Sequence, residues 1–151
     1  MNKTNTSSIK EILLRDLSNL EKEIAGYANE EEIWLVRGEI KNSAGNLALH
    51  ICGNLQHFIG AIVGQDGYIR KREEEFAKKN VTVSEILTEI RTTKAAIEKA
   101  LDKLTDDKLE ERYPLEVFGK PMTFSYFLIH LSGHLMYHLG QINYHRRLLA
   151  S

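Results

Sequence analysis

Residues 123–149 read TFSYFLIHLSGHLMYHLGQINYHRRLL. The segment follows Pro121, contains no further proline, and predicts one long helix that opens at Thr123 and reaches almost to the C-terminus. At about 100° per residue, four of its polar side chains project within about 40° of His134. They are His130, His138, Gln141 and His145. A buried polar stripe without partners costs several kcal/mol, so we expect a metal ion or a hydrated ligand cavity here. A solvated face, or histidines hydrogen-bonded in the core, is the alternative.

A second predicted helix, from about residue 43 to about residue 64, carries another polar face. Three polar side chains project within about 40° of His50 on this helix. They are Asn46, Asn54 and His57. Small residues lie on or beside the same face: Gly53, Gly60, Ala61 and Gly64. Because glycine inside a helix costs roughly 0.5–1 kcal/mol relative to alanine, these glycines indicate a need for space. Close packing of another helix on small residues is the alternative explanation.

The spacing of the histidines predicts a metal site. His134 and His138 are four residues apart and share one helix face, so both imidazoles can bind one divalent ion. A third imidazole from the second helix, His50, would leave a tetrahedral ion one open position. On spacing alone, His130 could replace either member of the pair, and His57 could replace His50. His50 and His57 lie about 10 Å apart along the helix and cannot share an ion. Imidazole ligands favour zinc or nickel here, with iron as an alternative.

The rest of the chain predicts two more helices. Apolar residues recur at helical spacing over about 8–27, where Ser8 and Glu11 have the spacing of a capping box. Another helix begins at Thr82, which forms a second capping box with Glu85. The sequence therefore predicts an all-α protein, a single four-helix bundle domain over residues 1–151. The segment RYPLEVFGKPMTF, just before the last helix, predicts a short hairpin around its Gly-Lys turn.

Composition limits the possible classes of protein. The chain has 151 residues, of which 42% are apolar and 27% charged, and its formal net charge is −1. This balance lacks the basic patch of a nucleic-acid-binding protein. No apolar run approaches the roughly 20 residues that span a bilayer, and the polar N-terminus lacks the apolar core of a secretory signal. The single cysteine, Cys52, excludes an intrachain disulfide. We therefore expect a cytoplasmic protein, in which Cys52 is a small buried residue rather than a nucleophile.

Two motifs carry a family resemblance: HLMYHLGQI at 134–142 and LHICGNL at 49–55. Two other segments add to this resemblance: KNSAGN at 41–46 and RKREEEF at 70–76. From about residue 34 onward, the chain resembles the DinB-like metalloprotein superfamily, and within it a bacterial branch.

This resemblance implies an up-down-down-up four-helix bundle that is commonly a homodimer. It also implies that His50, His134 and His138 are the metal ligands. Leu139 departs from the family pattern, since arginine is commoner at that position. Known members of the family include thiol S-transferases that use bacillithiol or mycothiol, a mycothiol-dependent isomerase, and proteins described as metal-dependent hydrolases.

Three functions follow as hypotheses. The first is a metal-dependent enzyme with thiol transferase-like activity on a small molecule, in which a low-molecular-weight thiol is ionised by the metal. Asn54, His57 and His130 would then orient the substrate or transfer protons. The second is a metal-dependent hydrolase, which needs a carboxylate base such as Glu75 near the bound water. The third is a non-catalytic bundle that binds a metal or small ligand, because fold and ligands do not establish turnover.

Two further segments have simpler interpretations. The charge run from Arg70 to Lys79 is typical of a solvated face, although Arg70 or Arg72 could contact an anionic thiol at the mouth of the pocket. Trp34 is expected to cap the bundle rather than to stack on substrate.

Overall fold

Helices make up most of residues 4–150, which is the part of the chain that the computed structural model describes. The α-helices are α1 (Asn5–Ala25), α2 (Ala44–Leu55), α3 (Arg72–Ala77), α4 (Val83–Leu101), α5 (Asp106–Leu109) and α6 (Phe124–Leu149). A 3₁₀ turn at Glu30–Trp34 precedes α2, and a π-helical turn at Gln56–Ala61 continues it. No strand forms within these residues. The prediction of an all-α fold with four long helices is therefore confirmed.

Contacts of α1 fix the directions of two of its neighbours. Lys10, in the first half of α1, pairs with Asp102, which caps the C-terminal end of α4. Those two helices are therefore antiparallel. Near the other end of α1, Glu23 accepts a hydrogen bond from Arg146 Nε at 2.8 Å, close to the C-terminal end of α6. Helix α6 therefore runs parallel to α1.

Helices α2 and α4 run side by side in the same direction. A Cβ atom on Gly64, just beyond the π-helical turn, would lie 2.9 Å from the Cβ of Ala100, at the end of α4. About two to three turns earlier on each helix, Gln56 Nε2 donates to Glu89 Oε1 at 2.7 Å. With α1 and α6 antiparallel to this pair, the bundle is up-down-down-up, as the family resemblance implied. Gly64 also confirms that part of the glycine pattern serves close helix packing.

The core lies between the four long helices, each of which contributes a stripe of buried apolar side chains. The members with the least exposure include Leu13, Leu17, Leu20, Ile24, Ile51, Leu55, Ile86, Ile90, Ile97, Phe127, Leu128 and Leu135. This burial supplies the main stabilisation of the fold, because apolar surface removed from water contributes about 25 cal/mol per Å². Over the part of the chain described, no helix has the combined length and apolarity needed to cross a bilayer.

The two predicted capping boxes have different outcomes. Thr82 and Glu85 form theirs in both directions, with Thr82 N donating to Glu85 Oε2 at 2.9 Å and Glu85 N to Thr82 Oγ1 at 3.2 Å. Ser8 does not cap α1, because the helix begins a turn earlier with Thr4 as its cap. The reason is tertiary: Asp106 of α5 accepts hydrogen bonds from backbone N–H groups of the first turn, which extends the helix.

The predicted hairpin before α6 is reduced to a single contact. Segment 112–124 turns back at Gly119, whose φ is 75°, but it forms only an isolated antiparallel bridge between Arg112 and Thr123. Pro114 and Pro121 lack an amide N–H and so cannot extend the ladder. The hairpin prediction is therefore wrong in its strands and correct in its turn.

The second predicted helix is not regular to its end. Beyond α2 the backbone hydrogen bonds join residues five apart, which is the π-helical pattern. Gly64 N, for example, donates to Ile59 O at 2.9 Å. Single π-helical turns within helices occur frequently at functional sites. Here the turn begins two residues after Asn54, next to the candidate site.

Candidate metal centre

Three histidines meet where α2 crosses α6. His50 Nε2 lies 3.2 Å from His134 Nε2, and His138 Nε2 lies 3.1 Å from the same atom. The three possible ligand atoms all lie within 4.8 Å of one another. The structure thus brings together the three residues that the spacing and the family resemblance indicated; we refer to them as the triad.

The far nitrogens of two triad rings have fixed partners. His50 Nδ1 donates to Glu75 Oε1 at 3.0 Å, since an ionised carboxylate can only accept. His138 Nδ1 donates to Gln141 Oε1 at 2.7 Å. Each neutral ring then has a lone pair on Nε2 that points at His134. A single proton on His134 Nε2 could satisfy only one of them, so the arrangement leaves a place for a cation.

Two members of the triad, His134 and His138, favour the neutral form near pH 7. Burial lowers the pKa of His134 to about 4, and the neighbouring histidines and Arg70 lower it further in the same direction. Burial also lowers the pKa of His138, against the opposing effect of its hydrogen bond to Gln141. Neutral imidazole is the form that binds a metal, because a proton competes for the same lone pair.

The spacing of the donors fits a divalent ion. Metal–nitrogen bonds of about 2.0–2.1 Å in a tetrahedral site place nitrogens about 3.3–3.4 Å apart. The separations of 3.1 and 3.2 Å in the triad are close to that value. Three imidazoles suit zinc, nickel or iron. This group of residues could therefore hold one metal ion.

Glu75 is buried beside the triad and held by Arg70. Arg70 Nε donates to Glu75 Oε2 at 2.8 Å, and Arg70 Nη2 donates to Glu75 Oε1 at 2.9 Å. Burial alone would raise the pKa of Glu75, but the hydrogen bonds from Arg70 and His50 hold it below its ordinary value. The prediction of a solvated charge run is therefore wrong for these two residues. Their ion pair faces the interior.

The three candidate pocket residues lie around the triad without joining it. Asn54 is buried one turn from His50, and its Oδ1 accepts no hydrogen bond from the described residues. His57 is half-buried with its ring 4.7 Å from that of Phe58, and burial lowers its pKa. His130 is exposed, with its ring centroid 6.3 Å from that of His134.

The last histidine of the α6 stripe has a separate role. The Tyr27 hydroxyl donates to His145 Nδ1 at 2.7 Å, and His145 Nε2 donates to Leu35 O at 2.8 Å. Both ring nitrogens are satisfied, and the side chain is buried. For this residue the alternative interpretation, a hydrogen-bonded core histidine, is correct.

Other residues that the sequence analysis singled out lie away from the triad. Leu139 lines a groove between α1 and α6 with Lys22, so the departure from arginine does not touch the site. Cys52 is buried, and burial raises the pKa of its thiol to about 12, consistent with an inert residue. The ring of Trp34 packs on Gly45, where a Cβ atom would come within 2.5 Å of it, and so covers the start of α2.

A cavity of about 630 Å³ adjoins the triad at His138. It lies between α6 and segment 39–42, and its wall combines apolar and polar groups. Its wall includes Ile40, Lys41, Tyr137, Gln141, Tyr144 and Leu148. Its size and mixed lining suit a small organic molecule.

Comparison with known proteins identifies the family. The family model of the DinB superfamily matches residues 14–142, most of the chain. The chain belongs to this superfamily. Metal binding is general among DinB-like proteins, in agreement with the triad. No curated protein matches the sequence.

Two crystal structures are similar in fold to this DinB-like chain. A conserved protein from Enterococcus faecalis is 19% identical with a TM-score of 0.78, covering 98% of both chains. A DinB-like protein from Bacillus cereus is 20% identical with a TM-score of 0.75, covering 97% of this chain and 93% of that one.

Proposed function

We propose that the protein is a metal-dependent enzyme in which His50, His134 and His138 hold one divalent ion, zinc or nickel ahead of iron. We further propose that it joins the sulfur of a low-molecular-weight thiol to an electrophilic carbon of a small molecule, with release of the thiol proton and of a leaving group such as chloride. One observation carries the proposal: imidazole nitrogens from two helices face one another at ligand spacing, and the far nitrogens of His50 and His138 are already hydrogen-bonded.

The residues around the triad have distinct tasks in this proposal. A divalent ion, when bound, lowers the pKa of a thiol so that it is ionised at neutral pH. The cavity beside His138 receives the electrophile, with Tyr137 and Tyr144 against its apolar part. Asn54, whose buried Oδ1 accepts no hydrogen bond from the described residues, is a candidate for orienting a donor group of the substrate. His130, exposed at the edge of the triad, is a candidate for proton transfer.

The thiol transferase is preferred to the hydrolase because of Glu75. A hydrolase of this type needs a carboxylate that is free to take a proton from water. Both carboxylate oxygens of Glu75 accept hydrogen bonds from Arg70, and one also accepts from His50. Arg70 is equally committed, so it is no longer a candidate for binding an anionic thiol.

The test begins with metal analysis of protein purified without a histidine tag. Metal-loaded protein is then incubated with bacillithiol, mycothiol or glutathione and monochlorobimane, with His138→Ala as the control. A thiol-dependent rate above that of the variant supports the transferase. Turnover of an ester, amide or lactam panel without thiol would instead indicate the hydrolase. A bound metal without turnover in either assay would indicate a non-catalytic metal-binding bundle, and absence of metal would contradict the proposal.

The proposal includes a cytoplasmic homodimer. Helix α6 has exposed apolar side chains that do not line the cavity: Tyr126, Ile129 and Met136. The same face of a second copy would bury these side chains, since exposed apolar patches commonly mark interaction surfaces. Light scattering on wild type and on Ile129→Lys tests this, since the added charge should shift a dimer toward monomer. A wild-type monomer at micromolar concentration would contradict it.

A further inference from the structure

We infer that Glu75 is a positioning residue: it keeps the proton of His50 on Nδ1, so that the Nε2 lone pair points at His134. This inference rests on the proposed metal centre and assigns a role to a residue outside the triad. The observation behind the inference is that α3, in the connection between α2 and α4, packs against the face of α2 that contains His50.

The docking presents one carboxylate to one ring nitrogen. Helix α3 lies against α2 and places Glu75 Oε1 3.0 Å from His50 Nδ1, with 7% of the Glu75 side chain exposed. Because a carboxylate accepts and does not donate, Nδ1 must carry the proton. A neutral imidazole has one such proton, so Nε2 is left unprotonated. That nitrogen is the one that lies 3.2 Å from His134.

Arg70 shows what would happen without the carboxylate. Its Nη2 lies 2.9 Å from Glu75 Oε1 and 3.4 Å from His50 Nδ1. While Nδ1 carries a proton, that second contact joins two donors and is not a hydrogen bond. Once the carboxylate is removed, the guanidinium can donate to an unprotonated Nδ1. The proton would then move to Nε2 and occupy the site intended for the metal.

Three residues on one face of α2 serve this arrangement. Asn46 Nδ2 donates to the carbonyl oxygens of Glu75 at 3.0 Å and Lys78 at 2.7 Å, which anchors the backbone of α3. His50 receives the carboxylate one turn later. Gly53 leaves room for it, because a Cβ atom there would lie only 2.0 Å from Glu75 Oε2. The polar and small residues on this face therefore bind α3 as well as a metal.

Partners of metal-bound histidines typically contribute 10- to 100-fold to metal affinity. We therefore expect Glu75→Ala to raise the zinc Kd about 10- to 100-fold, and Glu75→Gln, which keeps an acceptor for Nδ1, to raise it less, measured by competition with a chromophoric chelator. ¹⁵N NMR of the metal-free proteins should show the His50 proton on Nδ1 in the wild type and in Glu75→Gln, whose amide oxygen still accepts from it, and on Nε2 in Glu75→Ala. Glu74→Gln is the matched control: Glu74 is the exposed neighbour of Glu75 on α3, so its substitution should change neither the zinc Kd nor the tautomer.

A second variant separates positioning from folding. Gly53→Ala leaves Glu75 in the sequence but displaces its carboxylate, so it should reproduce both effects of Glu75→Ala. The double variant should bind zinc no more weakly than Glu75→Ala alone. Circular dichroism confirms that each variant remains helical.

Wild-type tautomer and zinc affinity in Glu75→Ala, equal to those of Glu74→Gln, would overturn the inference. If the wild type binds no zinc, the proposed function fails. The NMR readout still decides whether Glu75 sets the tautomer.

Discussion

Helix α6 presents histidines in two different situations along one face. His134 and His138 direct Nε2 atoms toward a shared point with His50, whereas His145, two turns further on, has both nitrogens bonded to Tyr27 and Leu35. Residue type, helix and face are the same. The difference lies in the segments packed against each histidine, which supply every hydrogen bond at one place and leave lone pairs facing one another at the other.

The largest expected effect of this difference is on metal binding. His134→Ala removes the ring to which both other Nε2 atoms are directed, so we expect zinc affinity to fall by at least about 100-fold, since two remaining ligands rarely hold the ion. His130→Ala, one turn upstream on the same helix, should retain wild-type affinity. Isothermal titration calorimetry of both variants checks this. Equal losses in the two would mean that His130 is also a ligand.

At His145 we expect a loss of stability without a loss of zinc binding. His145→Leu leaves the Tyr27 hydroxyl and the Leu35 carbonyl without their partner, and each such buried group costs about 1–3 kcal/mol. The free energy of unfolding, measured with urea on metal-free protein, should therefore fall by roughly 2–6 kcal/mol. Zinc stoichiometry at a temperature where the variant is folded should remain that of wild type. Loss of zinc from the folded variant would refute a purely structural role.

The comparison also explains what could be predicted from the sequence. The pair His134 and His138 could be found because spacing along one helix is a local property, and the Thr82 capping box was predictable for the same reason. The stripe alone could not separate His145 from the triad. Its partners come from positions 118 and 110 residues away in the sequence, at Tyr27 and Leu35.

The role of Glu75 was hidden for a related reason. In the sequence it belongs to a run of charges that is typical of a solvated face. Its burial depends on Asn46 and Gly53, which lie on the other side of the connection and fix the docking of α3. The glycine on the His50 face was the available signal, and it indicated space without indicating what fills it.

The pH dependence of stability tests the burial of His134 in the triad. The pKa of His134 lies at about 4 in the folded protein, below the ordinary value of 6.5, because the ring is buried. The unfolded chain therefore takes up the proton first as pH falls. Metal-free protein should lose stability between about pH 6.5 and 4, and His134→Gln should lose less. Urea denaturation across this range tests it, with His130→Gln as the control; identical profiles for wild type and His134→Gln would contradict the prediction.

The smallest effect is expected at Gln141, which holds His138 as Glu75 holds His50. Its amide oxygen accepts from His138 Nδ1 at 2.7 Å, but the residue is exposed and uncharged. Water can replace an exposed acceptor, whereas it cannot readily enter the buried position of Glu75. Gln141→Ala should therefore raise the zinc Kd only a few-fold, less than Glu75→Ala does. If the two variants weaken binding equally, burial is not what distinguishes the two supports, and the charge of Glu75 contributes little.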